Sequence, residues 1–182
     1  MLPMSVGIAE LPEYSNEVFE RHATEGIRKI FEEVGEVRPM AEVMATISPV
    51  DMKKSDRFFS MTILPHVGEV GFDEDVKDQL AFLLRNMVQD FEAVAIMFAS
   101  EGWMVRSSDL ERMEKIQAPS EEPDRVEVVQ IMMEFKRPTT KKLIFAEIKR
   151  PSKDRVELDQ WQTFDGQGGG RFYGMFPPEV LN

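Results

Sequence analysis

"DEDVKDQLAFLLRNMVQDFEAVAIMFASEGWMV", residues 73–105, changes its hydrophobic period halfway along, and the architecture follows from how that change is read. Over residues 73–92, Val76, Leu80, Leu83, Leu84, Met87 and Phe91 recur at helical spacing and mark one face. Asp73 stands where an N-cap side chain accepts from a free backbone N–H, and Asp75 lies in the first turn, where the helix dipole favours negative charge. From Val94 the pattern becomes a short run of apolar and small residues, which suits a buried strand over 94–99 with a further strand piece at 103–106. Ser100-Glu101-Gly102 interrupts that run. Gly102 permits a bulge, so we expect a kink at the sheet's edge that aims the side chains of Glu101 and Trp103, with Trp103 as a core or boundary aromatic shielding the sheet and Arg106 or Arg125 as a partner for Glu101.

Towards the C-terminus, "VEVVQIMMEFKRPTTKKLIFAEIKRP" (126–151) alternates Val129, Ile131, Met133 and Phe135 with mostly polar neighbours, turns at "KRPTTKK" and returns as "LIFAEI". A β-hairpin is expected, and "FFSMTIL" (58–64), stopped by Pro65, supplies another strand. Towards the N-terminus, Ser15 can cap a helix carrying Phe19, Ala23, Ile27, Ile30, Phe31 and Val34, which Gly35 ends. Pro39 then suits a first helical turn, and Met40, Val43, Met44 and Ile47 read as a second short helical stripe. The "DGQGGGRFYGMFPP" tail reads as a flexible glycine-rich turn into a short apolar strand, lacking the Lys-Ser/Thr of a phosphate-binding loop. The prediction is a single α+β domain over residues 1–182. N-terminal helices and one long amphipathic helix pack on a mainly antiparallel sheet of about five strands, and residues 1–14 and 177–182 are loosely ordered.

The 182 residues are enough for a substantial core, and 42% hydrophobic with 30% charged residues is a globular composition. Without cysteine there is no disulfide, thiolate nucleophile or cysteine-ligated zinc, and the N-terminus lacks a basic segment followed by an apolar one. No window is long and apolar enough to span a bilayer, so we expect a cytoplasmic protein without membrane contact. The formal charge of −11 repels phosphate backbones and makes nucleic acid an unfavourable partner. His22 and His66 form no HExxH pair, no GxSxG is present, and several of the 13 methionines fall on inferred apolar faces, where they suit an adaptable core.

One constellation carries possible chemistry. Pro123-Asp124 precedes the hairpin, Glu134-Phe135-Lys136 ends its first strand, and Glu147-Ile148-Lys149 ends its second. In this the chain resembles the PD-(D/E)xK nuclease pattern, which implies a divalent metal held by carboxylates and a lysine stabilising developing charge. If the turn centres near Thr139, the start of the first strand lies beside the end of the second. Asp124 or Glu127 then approaches Glu147 and Lys149, with Glu101 as a further carboxylate. Under that resemblance Asp124, Glu147 and Lys149 are catalytic and Mg²⁺ is the cofactor. The same Glu-x-Lys spacing is also what the solvent face of any alternating strand presents.

A second resemblance is broader. A small-residue strand leading to "SEGWMV", then "PSEEPDRVEVVQI" and "GGGRFYGMF", is similar to a group of small phage and prophage proteins of unassigned function, over about residues 75–176. It implies a small cytoplasmic accessory protein encoded by phage or mobile DNA. The expected function is therefore protein–protein interaction or self-association, with no cofactor or metal. A homodimer is one form of it, and Glu101, Trp103, Phe172 and Tyr173 are the binding candidates. A metal-dependent phosphodiesterase or nuclease is the alternative.

Overall fold

Residues 93–104 form one unbroken strand at the centre of the sheet. The computed structural model describes residues 3–11, 13–66, 72–105, 116, 119–152, 155–164 and 171–176. In chain order the elements are β1 (Met4–Leu11), α1 (Asn16–Val34), β2 (Met40–Ile47), β3 (Lys54–Pro65), α2 (Glu74–Asp90), β4 (Ala93–Met104), β5 (Val126–Lys136), β6 (Thr139–Ser152), β7 (Arg155–Leu158) and β8 (Gln162–Phe164). The strands make one antiparallel sheet in the order β1-β3-β2-β4-β5-β6-β7, with β8 also paired to β6, and the sheet curls into a half-barrel. The expectation of about five strands with several helices is therefore corrected: the described residues are mostly sheet, with two helices.

Both helices start and stop as their sequences require. Ser15 accepts from the Val18 N–H and Asp73 from the Val76 N–H, while Gly35 adopts a left-handed φ of 80° that a side chain would resist. The helices cover opposite faces of the sheet. Phe19, Ala23, Ile27 and Phe31 of α1 pack against Met40, Met44 and the odd-numbered residues of β4 and β5. Leu80, Ala81, Leu84 and Val88 of α2 pack against Ala41, Val43 and Ala45 of β2, Met61 and Ile63 of β3, and Ile96 and Phe98 of β4.

Two-sided burial explains the main misreading. Residues 40–47 were expected to be helical, yet they form β2, a strand between β3 and β4 with both faces covered. Met40 and Met44 face α1 while Ala41, Val43 and Ala45 face α2. A strand buried on both faces loses its period-2 alternation, and the surviving Met40, Val43, Met44 spacing imitates a helix. Other boundaries also move. Residues 4–11, expected to be loosely ordered, pair with β3 through eight consecutive positions. Residues 94–106, expected as two strand pieces kinked at Gly102, include an unbroken register against β5 from Ala95 to Met104. The apolar strand expected in the tail is absent from residues 171–176, which adopt turns; residues 177–182 lie outside the described residues. The hairpin forms, with Lys136 opposite Thr139 across a turn of Arg137 and Pro138.

Candidate functional site: a groove beside the end of β4

β4 outruns its neighbour. β2 begins at Met40 opposite Ala99, so Ser100 to Met104 continue beside β5 alone. The segment joining α1 to β2 crosses this end, and the start of α2 and residues 171–172 close the other side. Together they enclose a groove of about 790 Å³ lined by Glu36, Arg38, Lys77, Phe98, Glu101 and Phe172, among others.

One wall is aromatic. Phe98 and Phe172 stack with ring centroids 3.9 Å apart and planes 9° from parallel, and Phe72 joins them at 5.8 Å from Phe98 and 6.4 Å from Phe172. Met132 completes the apolar surface from β5. The rim is charged. Arg171 bridges Glu74 and Asp78 at 2.7 Å each, and Lys77 reaches both Glu74 (2.7 Å) and the face of Phe72 (5.9 Å). These contacts hold residues 171–172 against α2, so the position of Phe172 depends on ion pairs at the start of that helix. Farther along the tail, Gly174 takes a left-handed φ of 71°, and the Met175 N–H donates to buried Glu134 at 2.9 Å.

Glu101 sits at the groove's other margin. Its Oε1 accepts from the Val37 N–H at 2.8 Å, tying the α1–β2 connection to β4. Burial pushes its carboxyl above the usual range, the Val37 hydrogen bond opposes that shift, and the Glu127 and Glu36 charges add to it. Of the two arginines expected as its partner, Arg125 lies instead over the Trp103 ring at 4.9 Å, and Arg106 is outside the described residues. Gly102 also has a different reason from the bulge expected of it. A Cβ there would sit 3.3 Å from Gln130 Nε2, so the missing side chain leaves room for Gln130, which donates to Ser100 Oγ at 3.3 Å.

Of the four binding candidates, Glu101 and Phe172 line the groove. Trp103 is half exposed under Arg125, and Tyr173 is buried, donating to the Lys142 carbonyl at 3.3 Å with the Lys141 ammonium near its ring. Phe72, Phe98 and Arg171 were missed. Phe98 lies inside an apolar run and Phe72 beside a turn, and no spacing rule links positions 72, 98 and 172.

The nuclease-like residues occupy a different region. Asp124 is exposed in the turn before β5, while Glu147 lies on β6 opposite Val128, so the two stand four positions apart along β5. Lys149 pairs with Asp159 at 2.5 Å, and Glu127 is held by Arg150 at 2.9 and 3.1 Å. Hydrogen bonding to Asp159, with the Asp159 charge adding to it, raises the Lys149 pKa. Among the described residues, no group of three or more His, Asp or Glu side chains is gathered so that it could hold a metal ion.

A site that sequence reasoning also missed lies under α1. Glu42 is buried in β2, takes a short hydrogen bond from Ser60 Oγ, and meets His22 Nε2 at 3.5 Å. Also among the described residues, no helix is long and apolar enough to cross a membrane. Compared with known proteins, the chain matches no family model, no curated protein and no solved structure.

Proposed function

We propose that this chain is a small cytoplasmic accessory protein without catalytic activity of its own, acting by binding another protein through the groove beside β4. The observation that carries the reading is the stacked triplet of Phe72, Phe98 and Phe172 forming one wall of an open groove. An apolar wall with a polar rim is how protein surfaces capture an aromatic or aliphatic anchor residue while excluding water around it. Glu36, Arg38 and Glu101 on the α1–β2 side, where Arg38 pairs with Glu36 at 2.8 Å, and Lys77 on the α2 side supply charges of both signs to read the polar residues flanking that anchor. The likeness to small phage and prophage proteins supports an accessory role encoded by mobile DNA. The acidic surface, with a formal charge of −11, supports a protein partner over nucleic acid.

Selection from a displayed peptide library tests this reading. Enriched peptides should share an apolar or aromatic anchor, and Phe172→Ala should weaken their binding at least about tenfold, the scale of a lost hot-spot side chain. Binding that is indifferent to Phe172→Ala, or the absence of any enriched sequence, overturns it. So does metal-dependent cleavage of nucleic acid that Lys149→Ala abolishes in a folded protein.

A further inference from the structure

The groove leaves unexplained a second feature, the outer edge of the sheet. β1 pairs with β3 on one side and ends the strand order on the other, so half of its backbone N–H and C=O groups face outward. Edge strands in solution are usually blunted by lysine, by proline, by a bulge or by covering structure. Among the described residues, β1 has none of these. Its eight pairs run without a register shift, its sequence "MSVGIAEL" contains no lysine or proline, and Ser5 to Glu10 are all exposed, with Val6 at 50% and Ile8 at 47%. At the opposite edge, β7 is four residues long, carries the Arg155–Glu157 ion pair and meets β6 through an irregular register beside the Lys149–Asp159 pair. One edge is guarded and the other is open.

We propose that β1 is the site of self-association, pairing antiparallel with β1 of a second copy so that two sheets become one continuous sheet across a twofold axis. Charge selects this occupant. Two copies of a chain with a formal charge of −11 repel over most of their surfaces, but residues 1–9 contain no charged side chain, and Glu10 is neutralised by Arg57 at 2.6 Å. β1 is therefore a strip along which a second copy can approach without bringing like charges together.

Geometry then selects the register. Around a twofold perpendicular to the sheet, paired residues lie on the same face, so the two residue numbers in each pair add to an even number. Centring on Gly7 sets Val6 of each copy beside Ile8 of the other and Ser5 beside Ala9. Both exposed apolar residues are then used twice. Gly7 at the axis offers no side chain, and a Cβ built there meets nothing within 4 Å on its own chain.

The protein has no cysteine, which makes the test direct. Facing Cα atoms in an antiparallel pair are about 4.5–5.5 Å apart, within the range a disulfide spans. Gly7→Cys should give a covalent dimer under mild oxidation, while Phe82→Cys, on the exposed face of α2, should crosslink at least about tenfold more slowly. In sedimentation at graded concentration the parent should dimerise, and Ile8→Lys should raise the dissociation constant at least about tenfold with an unchanged circular dichroism spectrum. A parent that stays monomeric overturns the proposal. So does a dimer that Ile8→Lys leaves intact while Gly7→Cys crosslinks no faster than Phe82→Cys. Phe172→Ala should not alter the dimer, which separates this edge from the groove.

Discussion

Buried and half-buried carboxylates in this protein mark the places where the sheet is tied to what covers it. Glu134 receives the tail through the Met175 N–H, Glu101 receives the α1–β2 connection through the Val37 N–H, and Glu42 meets α1 through His22. In each case the carboxylate lies in or beside an apolar strand run, where sequence reading sees an anomaly without seeing its partner. The partner is remote in the chain, and for Glu134 and Glu101 it is a backbone group carrying no residue signature. The Glu42 contact has a consequence for pH. Hydrogen bonding to Glu42 raises the His22 pKa above 6.5, partial burial opposes the shift, and the Glu42 and Glu25 charges add to it. The folded state then holds the His22 proton more tightly than the unfolded chain does. The resulting stabilisation is fully present below the unfolded value and is lost as pH rises through the folded one. His22 is more than half exposed, so solvent screening keeps the effect small. Between about pH 6 and 8 the parent should lose on the order of 2 °C of melting temperature relative to His22→Gln, measured by thermal denaturation in matched buffers. Equal pH profiles for the two proteins would show that His22 contributes nothing through Glu42.

At the scale of elements, the helices were legible and the sheet only in part. Ser15, Gly35 and Asp73 perform the capping roles their positions suggest, and the apolar stripes of α1 and α2 form most of the buried faces, except that Val34 at the end of α1 is exposed. The hairpin of β5 and β6 was equally visible, because β5 runs Val129, Ile131, Met133 and Phe135 toward α1 at period 2. β2 failed because burial on both faces removes the alternation by which a strand is recognised, and β1 failed because exposure on both faces does the same from the other side. The stripe on α2 can be tested against its own surface. Leu84 is fully buried against the sheet, whereas Phe82, two residues earlier, is 67% exposed. Leu84→Ala should cost about 2–5 kcal/mol in urea denaturation through lost burial and a residual cavity. Phe82→Ala should stay within about 0.5 kcal/mol of the parent. Reversed magnitudes would place the buried face of α2 on the wrong side.

For the whole molecule, the candidate site was less legible than the fold because a groove belongs to no single segment. Phe72, Phe98 and Phe172 come from a turn, a central strand and the tail, and they meet only because the sheet sets β4 between α2 and residues 171–172. The charge of the molecule, by contrast, is read directly from composition: 33 acidic residues against 22 basic ones. Many of the basic side chains are engaged in surface ion pairs, including Lys142–Glu20 at 2.6 Å and the pairing of Arg171 with Glu74 and Asp78. Each such pair contributes roughly 0–1 kcal/mol, and salt weakens it. The excess carboxylates repel one another at longer range, where screening acts more strongly: the Debye length is about 30 Å at 0.01 M and about 8 Å at 0.15 M. Repulsion among acidic groups therefore loses more than the short ion pairs do when salt is added. The melting temperature should rise as NaCl is increased from about 0.01 M to about 0.15 M, and the dissociation constant of the proposed β1-paired dimer should fall over the same range, since the two copies carry the same excess charge. A melting temperature that falls with salt would mean that the ion pairs, led by the Arg171 bridge beside the groove, outweigh the repulsion and that the surface is electrostatically matched despite its net charge.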